Sequence, residues 1–407
     1  MSDDRVVIVG ASVSGLTVAE TAREEGHTGE IVLVGDETRI PYDRPPLSKQ
    51  LLSGEWEAER LTLRDQAALD GLGLDLRLGT RARSADAEAR TVTLDDGSVL
   101  DYGTLVIATG VVPNRLPDGH GLRGVHVLHD IEDALRLREA LRSAQRLVVV
   151  GAGFLGAEVA AVARKLGLTV TLVDPLPQPL VGALGETVGA MLADVHREHG
   201  VDVRCGVAVR ALVGDGGAVC GVALDDGTQV PADTVLVAVG SRPAVQWLEG
   251  SGVPLGRRGA DGCDGVLCDG RGMALPGVYA VGDVAAWWDA RAGRRHRVEH
   301  RLTAAEQARI VGRGLVRPTA QVEPPVPFFW SDQYDLKLQV FGLPAPSHDF
   351  HLLSGSLAER RFVAAYAADG VVQAVVGCNM ARQLRSWRPA VASATPVGEV
   401  LRTAVSA

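Results

Sequence analysis

Short runs of branched apolar residues recur along the chain, each running into glycines and then into a stretch with Ala, Leu and Glu at helical spacing. The segment "VVIVGASVSGLTVAETAREEGHTGEIVLVGD" (6 to 36) is echoed by "LVVVGAGFLGAEVAAVARKLGLTVTLVD" (147 to 174). The β-branched runs bounded by glycine predict strands, and the periodic stretches between them predict helices. Each copy therefore reads as strand, helix, strand. The echo continues downstream, where "DDGSVLDYGTLVIATG" (95 to 110) and "DDGTQVPADTVLVAVG" (225 to 240) share a DDG and a closing apolar strand that ends in glycine, Gly110 or Gly240. Two whole domains are repeated, and alternation of strands with helices predicts an α/β fold.

The glycine spacing adds chemistry to this pattern. In G-x-G-x-x-G the first glycine makes a tight turn, the second lets the backbone approach a pyrophosphate, and the third lets helix and strand pack closely. Gly151, Gly153 and Gly156 fill all three places in the second copy, and Asp174 ends the following strand where a ribose hydroxyl would be bound. No arginine follows in "DPLPQP", so this copy is expected to prefer NAD over NADP. The first copy keeps Gly10 and Gly15 and has Asp36 at the acidic place, but Ser12 stands where the middle glycine belongs. Serine is a mild replacement, small and able to donate to a phosphate oxygen.

Composition narrows the function class. A chain of 407 residues with 46% apolar content is long enough for two or three cores. A formal charge of -9 argues against general affinity for nucleic acid or anionic lipid. "MSDDRVVIVG" has no basic region followed by a long apolar run, so no secretory signal and a cytoplasmic location are expected. The apolar stretch "LVVVGAGFLGAEVAAVA" is too short for a membrane span and contains Glu158. Five scattered cysteines without a C-x-x-C suggest reduced thiols and no zinc site. No cysteine precedes Cys205, so a redox-active pair near the first fingerprint is not expected.

Six segments occur in order along the chain: "PYDRPPLSK" (41 to 49), "LVIATG" (105 to 110), "GAGFLGAEVAA" (151 to 161), "VYAVGD" (278 to 283), "RVEHRLTAAEQ" (297 to 307) and "FFWSDQY" (328 to 334). Together they resemble the FAD- and NADH-dependent ferredoxin reductases that serve bacterial oxygenases, a family that includes rubredoxin reductases and is similar to apoptosis-inducing factor. The resemblance implies two Rossmann-like domains, for FAD and for NAD, in a glutathione-reductase-like arrangement with an α/β C-terminal domain. It implies a discontinuous FAD domain at 1–113 and 240–323, an NAD domain at 114–239 and a C-terminal domain at 324–407. The Pro-rich "VEPPVP" supports the last boundary independently.

The same resemblance implies site residues. Arg44 and Lys49 would run along the flavin, with Asp283 on its ribitol and phosphate portion and Trp330 closing over its side. Ser14, Ala82, Thr109 and Gly110 would contribute to the FAD site, as would Gly240, Gly282 and Val298. His129 stands where relatives often carry an arginine for the FAD phosphate, and Arg301 and Thr303 also depart from the pattern. Glu158 would pair with Lys49 and contact the nicotinamide, since a carboxylate inside an Ala/Val-rich helix is costly unless paired. The implied activity takes a hydride from NADH and releases single electrons to an iron–sulfur ferredoxin, expected to be acidic. Two other outcomes stay open: transfer to a small acceptor or oxygen, and a slow flavin-binding interaction protein. The run "RAGRRHRVEHR" (291 to 301) is a solvated basic loop or, more sharply, a docking patch for the ferredoxin.

Overall fold

The first apolar run forms the fully buried strand Val6–Val9, the helix after it is Val13–Glu24, and the next run is the buried strand Ile31–Gly35. The computed structural model describes residues 4–318 and 325–406. Contacts divide the chain into two units. One takes the chain up to Asp43, Glu59–Val112 and the stretch that begins at Ser241; the other takes Arg44–Ala58, Pro113–Gly240 and the chain from Val326. The expected boundary at 323 to 324 lies outside the described residues.

In the first unit Val278–Ala280, Thr104–Ile107, Val6–Val9, Ile31–Gly35 and Asp75–Leu78 lie side by side as parallel strands, with Met273–Leu275 antiparallel at one edge. Parallel strands covered on both faces read as unbroken apolar runs, which is why "VVIV" and "IVLV" show no alternation. In the second unit Asp202–Cys205, Thr169–Asp174, Arg146–Val150, Thr234–Val237 and Val125–His126 make the corresponding all-parallel sheet. The two DDG copies have the same local structure. Gly97 and Gly227 turn the chain at φ +86° and +87°, while Asp96 and Asp226 each accept the N–H two residues on at 2.8 Å. Each turn closes a hairpin of a small three-stranded antiparallel sheet.

The C-terminal segment departs from the alternating α/β order expected of it. Its five strands come first, as one antiparallel sheet in the order Phe328–Gln333, Leu336–Gly342, Val371–Cys378, Arg361–Ala368, Asp349–Ser356. The helices Ala381–Ser386, Arg388–Ala392 and Val397–Ser406 follow together. The cause is turn chemistry: Asp369 and Gly370 both hold positive φ, as a two-residue hairpin requires, and Tyr334 does the same between the first two strands. One face of this sheet shares a core with the helix Val181–Glu198, where Leu184, Val188, Leu192 and Val195 meet Leu336, Leu338, Phe362 and Tyr366. That helix is interrupted at Gly185 (φ 70°), and the Tyr366 hydroxyl donates to the Leu184 carbonyl at 2.5 Å. Among the described residues no helix is long and apolar enough to cross a membrane.

Candidate functional site

The glycine turns separate into positions that packing demands and one that it does not. A Cβ at Gly10 or Gly151 would stand 2.1 or 2.2 Å from the carbonyl oxygen of Ala108 or Ala238, and both glycines hold positive φ. At Gly15 and Gly156 a Cβ would lie 1.9 Å from the carbonyl oxygen of Gly10 and Gly151. Backbone contact therefore fixes the first and third glycines in both copies. A Cβ on Gly153 meets nothing within 4 Å, so no protein atom requires this glycine. It is the N-cap of the helix Phe154–Lys165, and its counterpart Ser12 caps Val13–Glu24 without a side-chain hydrogen bond. Both helices begin with N–H donors that no capping side chain satisfies, and at Gly153 there is open space beside them. These are the features a dinucleotide phosphate needs.

The two acids at the strand ends behave differently. Asp174 is drawn back into its own glycine turn, accepting from the Ala152 N–H at 2.6 Å and the Leu176 N–H at 2.8 Å. Asp36 instead pairs with Arg81 at 3.0 Å in an exposed contact, and Ala82 beside that arginine is buried at the start of Ala82–Asp86. In the first unit Gly282 lies against Ser14, since a Cβ there would stand 2.5 Å from the Ser14 hydroxyl. The Gly282 N–H donates to Gln307 Oε1 at 2.9 Å, and the carbonyl of Asp283 accepts from Arg297 at 3.0 Å. Thr109 is tied to the Ala244 carbonyl at 2.9 Å, Gly110 and Gly240 both turn with positive φ, and Val298 is buried. Thr303, one of the departures, buries a hydroxyl with no hydrogen-bond partner in the first turn of Arg301–Gly314. An orphaned polar atom beside an uncapped helix start suits a ligand atom.

In the second unit the structure brings Lys49 and Glu158 together. The ammonium is 2.6 Å from Glu158 Oε2, with the side chains 12% and 6% exposed. Ser48 donates to the same oxygen at 2.6 Å and Ser331 to Oε1 at 2.8 Å, so the carboxylate is held by three side chains from two distant segments. Lys49 keeps the Pro45 carbonyl at 3.2 Å and Ser48 Oγ at 3.3 Å as further partners. Such a pair is tolerated in low-dielectric surroundings because the three ammonium protons have acceptors and both carboxylate oxygens have donors. The fold supplies the match from three places: the 3₁₀ turn Pro45–Ser48, the helix Phe154–Lys165 and the strand Phe328–Gln333. Sequence reasoning missed Ser48 and Ser331, although both lie inside quoted motifs. Trp330, the residue chosen from that motif, stacks on Phe328 with ring centroids 6.2 Å apart.

Arg44 donates to the His129 carbonyl at 2.6 Å, and the His129 N–H donates to Asp133 at 3.0 Å. The Arg44 guanidinium thus meets the main chain of His129. Three arginines of the run pair with acids, most of them outside it. Arg291 pairs with Asp289, Arg297 lies between Asp264 and Glu299, Arg301 pairs with Asp43, and Arg295 donates to the Cys268 carbonyl. Arg294 is exposed, and Arg295 also lies over the Trp288 ring at 5.6 Å. Burial pushes the thiol of Cys205 up to about 11 and those of Cys268 and Cys378 up to about 12, which leaves them protonated and weakly nucleophilic at neutral pH.

Residues 4–308 match the pyridine nucleotide-disulphide oxidoreductase family and residues 328–402 the reductase C-terminal family. A ferredoxin–NAD(P)+ reductase of Sphingomonas sp is 37% identical over 374 residues, 91% of this chain and 88% of that protein. The ferredoxin–NAD+ reductase component of the p-cumate 2,3-dioxygenase system of Pseudomonas putida is 38% identical over 340 residues, 83% of this chain and 81% of that protein. The chain belongs to the ferredoxin reductase family of oxygenase systems. A solved covalent putidaredoxin reductase–putidaredoxin complex superimposes with a TM-score of 0.92 at 32% identity, covering 99% of this chain and 98% of that one. Like the ferredoxin reductases it matches, this chain is an oxidoreductase.

Proposed function

We propose that the protein is an NADH-dependent ferredoxin reductase, with FAD held in the first unit and NADH in the second, and that it passes electrons to an iron–sulfur ferredoxin serving an oxygenase. The observation that carries this reading is the buried Lys49–Glu158 pair following a complete glycine fingerprint. Bound FAD supplies the exchange between a two-electron hydride donor and a one-electron acceptor. The chain's own residues bind and orient. In the first unit the uncapped start of Val13–Glu24 would receive the FAD pyrophosphate, Ser12 and Ser14 would help hold it, and Asp283 would bind the ribitol portion. In the second unit Gly153 leaves the NADH pyrophosphate its approach, and Asp174, already fixed by two backbone donors, accepts from the ribose. Lys49 would contribute a positive charge that favours an electron-rich flavin, and Glu158 holds that ammonium in place.

Anaerobic titration with NADH should bleach the flavin absorbance, and adding ferredoxin should then make cytochrome c reduction dependent on it. Bleaching without ferredoxin dependence would move the acceptor to a small molecule or oxygen; no bleaching would leave a flavin-binding protein. A second measurement addresses the departure at the first fingerprint. Ser12→Gly should keep FAD affinity or tighten it by about two- to threefold in a fluorescence titration, because glycine allows closer approach of backbone to phosphate. Loss of flavin in this variant would instead make the serine hydroxyl a ligand.

A further inference from the structure

Glu158 is the end of a longer line of buried hydrogen bonds. From its carboxylate the line passes to Ser331 (2.8 Å), from Ser331 Oγ to Gln333 Nε2 (3.1 Å), from Gln333 Oε1 to His196 Nε2 (3.0 Å), and from His196 Nδ1 to the Tyr334 hydroxyl (3.1 Å). Ser331, Gln333 and His196 have no exposed surface. Ser331 and Gln333 alternate with Phe329 on the buried face of the strand Phe328–Gln333, and His196 lies in the last turn of Val181–Glu198. Two polar residues thus continue the face that Phe329 gives to the apolar core.

Chemistry fixes the direction of every proton, working outward from the carboxylate. Glu158 as a carboxylate only accepts, so the Ser331 hydroxyl spends its one proton there. Ser331 Oγ can then only accept from Gln333, which turns the amide oxygen of Gln333 toward His196. That oxygen needs a donor, so His196 carries its proton on Nε2. Nδ1 is left bare, and the Tyr334 hydroxyl donates to it. Amide orientation and histidine tautomer are ordinarily assigned rather than observed, but here one charged end settles both. Burial lowers the His196 imidazole to about 4, which keeps the ring neutral with a single N–H at physiological pH. The charged groups at the line are Lys49 and Glu158 at its inner end and, at its outer end, Arg164 and Lys165, whose ammonium donates to the Tyr334 carbonyl at 3.3 Å; the His199 ring stacks on Tyr334 with centroids 3.7 Å apart.

We propose that Tyr334, His196, Gln333 and Ser331 form a one-way donor chain that orients the Glu158 carboxylate, and through it the Lys49 ammonium. They are positioning residues, and the proposal rests on the reading that the pair serves the contact between NADH and flavin. Donors aligned head to tail polarise one another, so a break at a remote link is felt at the carboxylate. This gives roles to the Ser, Gln and Tyr of "WSDQY" that Trp330 leaves unexplained.

Two measurements test it. In the untouched holoprotein, nitrogen-15 NMR of the histidines should show His196 protonated on Nε2 and bare on Nδ1; a proton on Nδ1 reverses the line and overturns the proposal. In anaerobic stopped flow, Ser331→Ala and Gln333→Met should each lower the limiting rate of flavin reduction by about tenfold, with Kd for NADH changed by less than about threefold. Ser331→Thr, which keeps the hydroxyl, should restore the rate. Variants that unfold more easily yet reduce flavin at the unaltered limiting rate would make the line purely structural and overturn the proposal. Lys49→Met separates the two levels: an unchanged limiting rate in that variant removes the reading of the pair itself, whereas the NMR result concerns the donor chain alone.

Discussion

Glu158→Ala is expected to destabilise the second unit by about 3–5 kcal/mol in urea unfolding, the range for breaking a buried ion pair from one side. The substitution leaves the Lys49 ammonium, with its side chain 12% exposed, facing only the Pro45 carbonyl at 3.2 Å and Ser48 Oγ at 3.3 Å. It also strips the Ser331 hydroxyl of its acceptor. The double replacement Lys49→Met with Glu158→Leu should recover most of that loss, because matched apolar groups carry no desolvation penalty. Hydride transfer from NADH should remain lost in the double variant. Recovery of stability without recovery of rate would show that the pair is maintained for chemistry. A loss below about 1 kcal/mol in Glu158→Ala would mean that water reaches the ammonium and that the pair is effectively a surface one.

The glycine turn of the second unit should respond in opposite ways at two neighbouring positions. Gly156→Val places a Cβ 1.9 Å from the Gly151 carbonyl oxygen, a clash between backbones that no rotamer relieves. It should cost about 3 kcal/mol or more in chemical unfolding without nucleotide. Gly153→Val meets no protein atom within 4 Å at Cβ, and glycine's N-cap preference over valine sets its cost at about 1 kcal/mol. Yet Gly153→Val should weaken NADH binding by at least about tenfold, since the space it fills is the one the pyrophosphate needs. Unfolding curves paired with nucleotide titrations read both numbers. Unchanged NADH affinity in Gly153→Val would place the phosphate elsewhere.

Much of the architecture was legible because it is written in backbone constraints. Gly10, Gly15, Gly151 and Gly156 stand where a side chain would strike a carbonyl, so the repeat that marks them in sequence also marks the two parallel sheets. The DDG copies were legible through a different backbone constraint, the positive φ of Gly97 and Gly227. Contacts between distant side chains were not. Ser48 reaches Glu158 across 110 positions and Ser331 across 173, and neither serine carries a local signal of a buried carboxylate. The arginine run shows the same gap: its charges are plain in sequence, but the acids that pair with Arg297 and Arg301, Asp264 and Asp43, lie 33 and 258 positions away. The antiparallel C-terminal sheet had a readable cue in Asp369–Gly370, a pair suited to a two-residue hairpin and overlooked beside the stronger glycine fingerprints.

The division of the chain into interleaved units bears on its biosynthesis. The polypeptide changes unit five times between Asp43 and Val326. The first parallel sheet includes Val278–Ala280, and the core on Val181–Glu198 includes Phe362 and Tyr366. Neither unit can finish folding while the ribosome is still early in the message, because each waits for strands encoded late. Apolar faces of the Val6–Val9 and Arg146–Val150 strands are therefore made long before their last neighbours arrive. Nascent chains arrested before Val278 should engage cellular chaperones more strongly than completed ones.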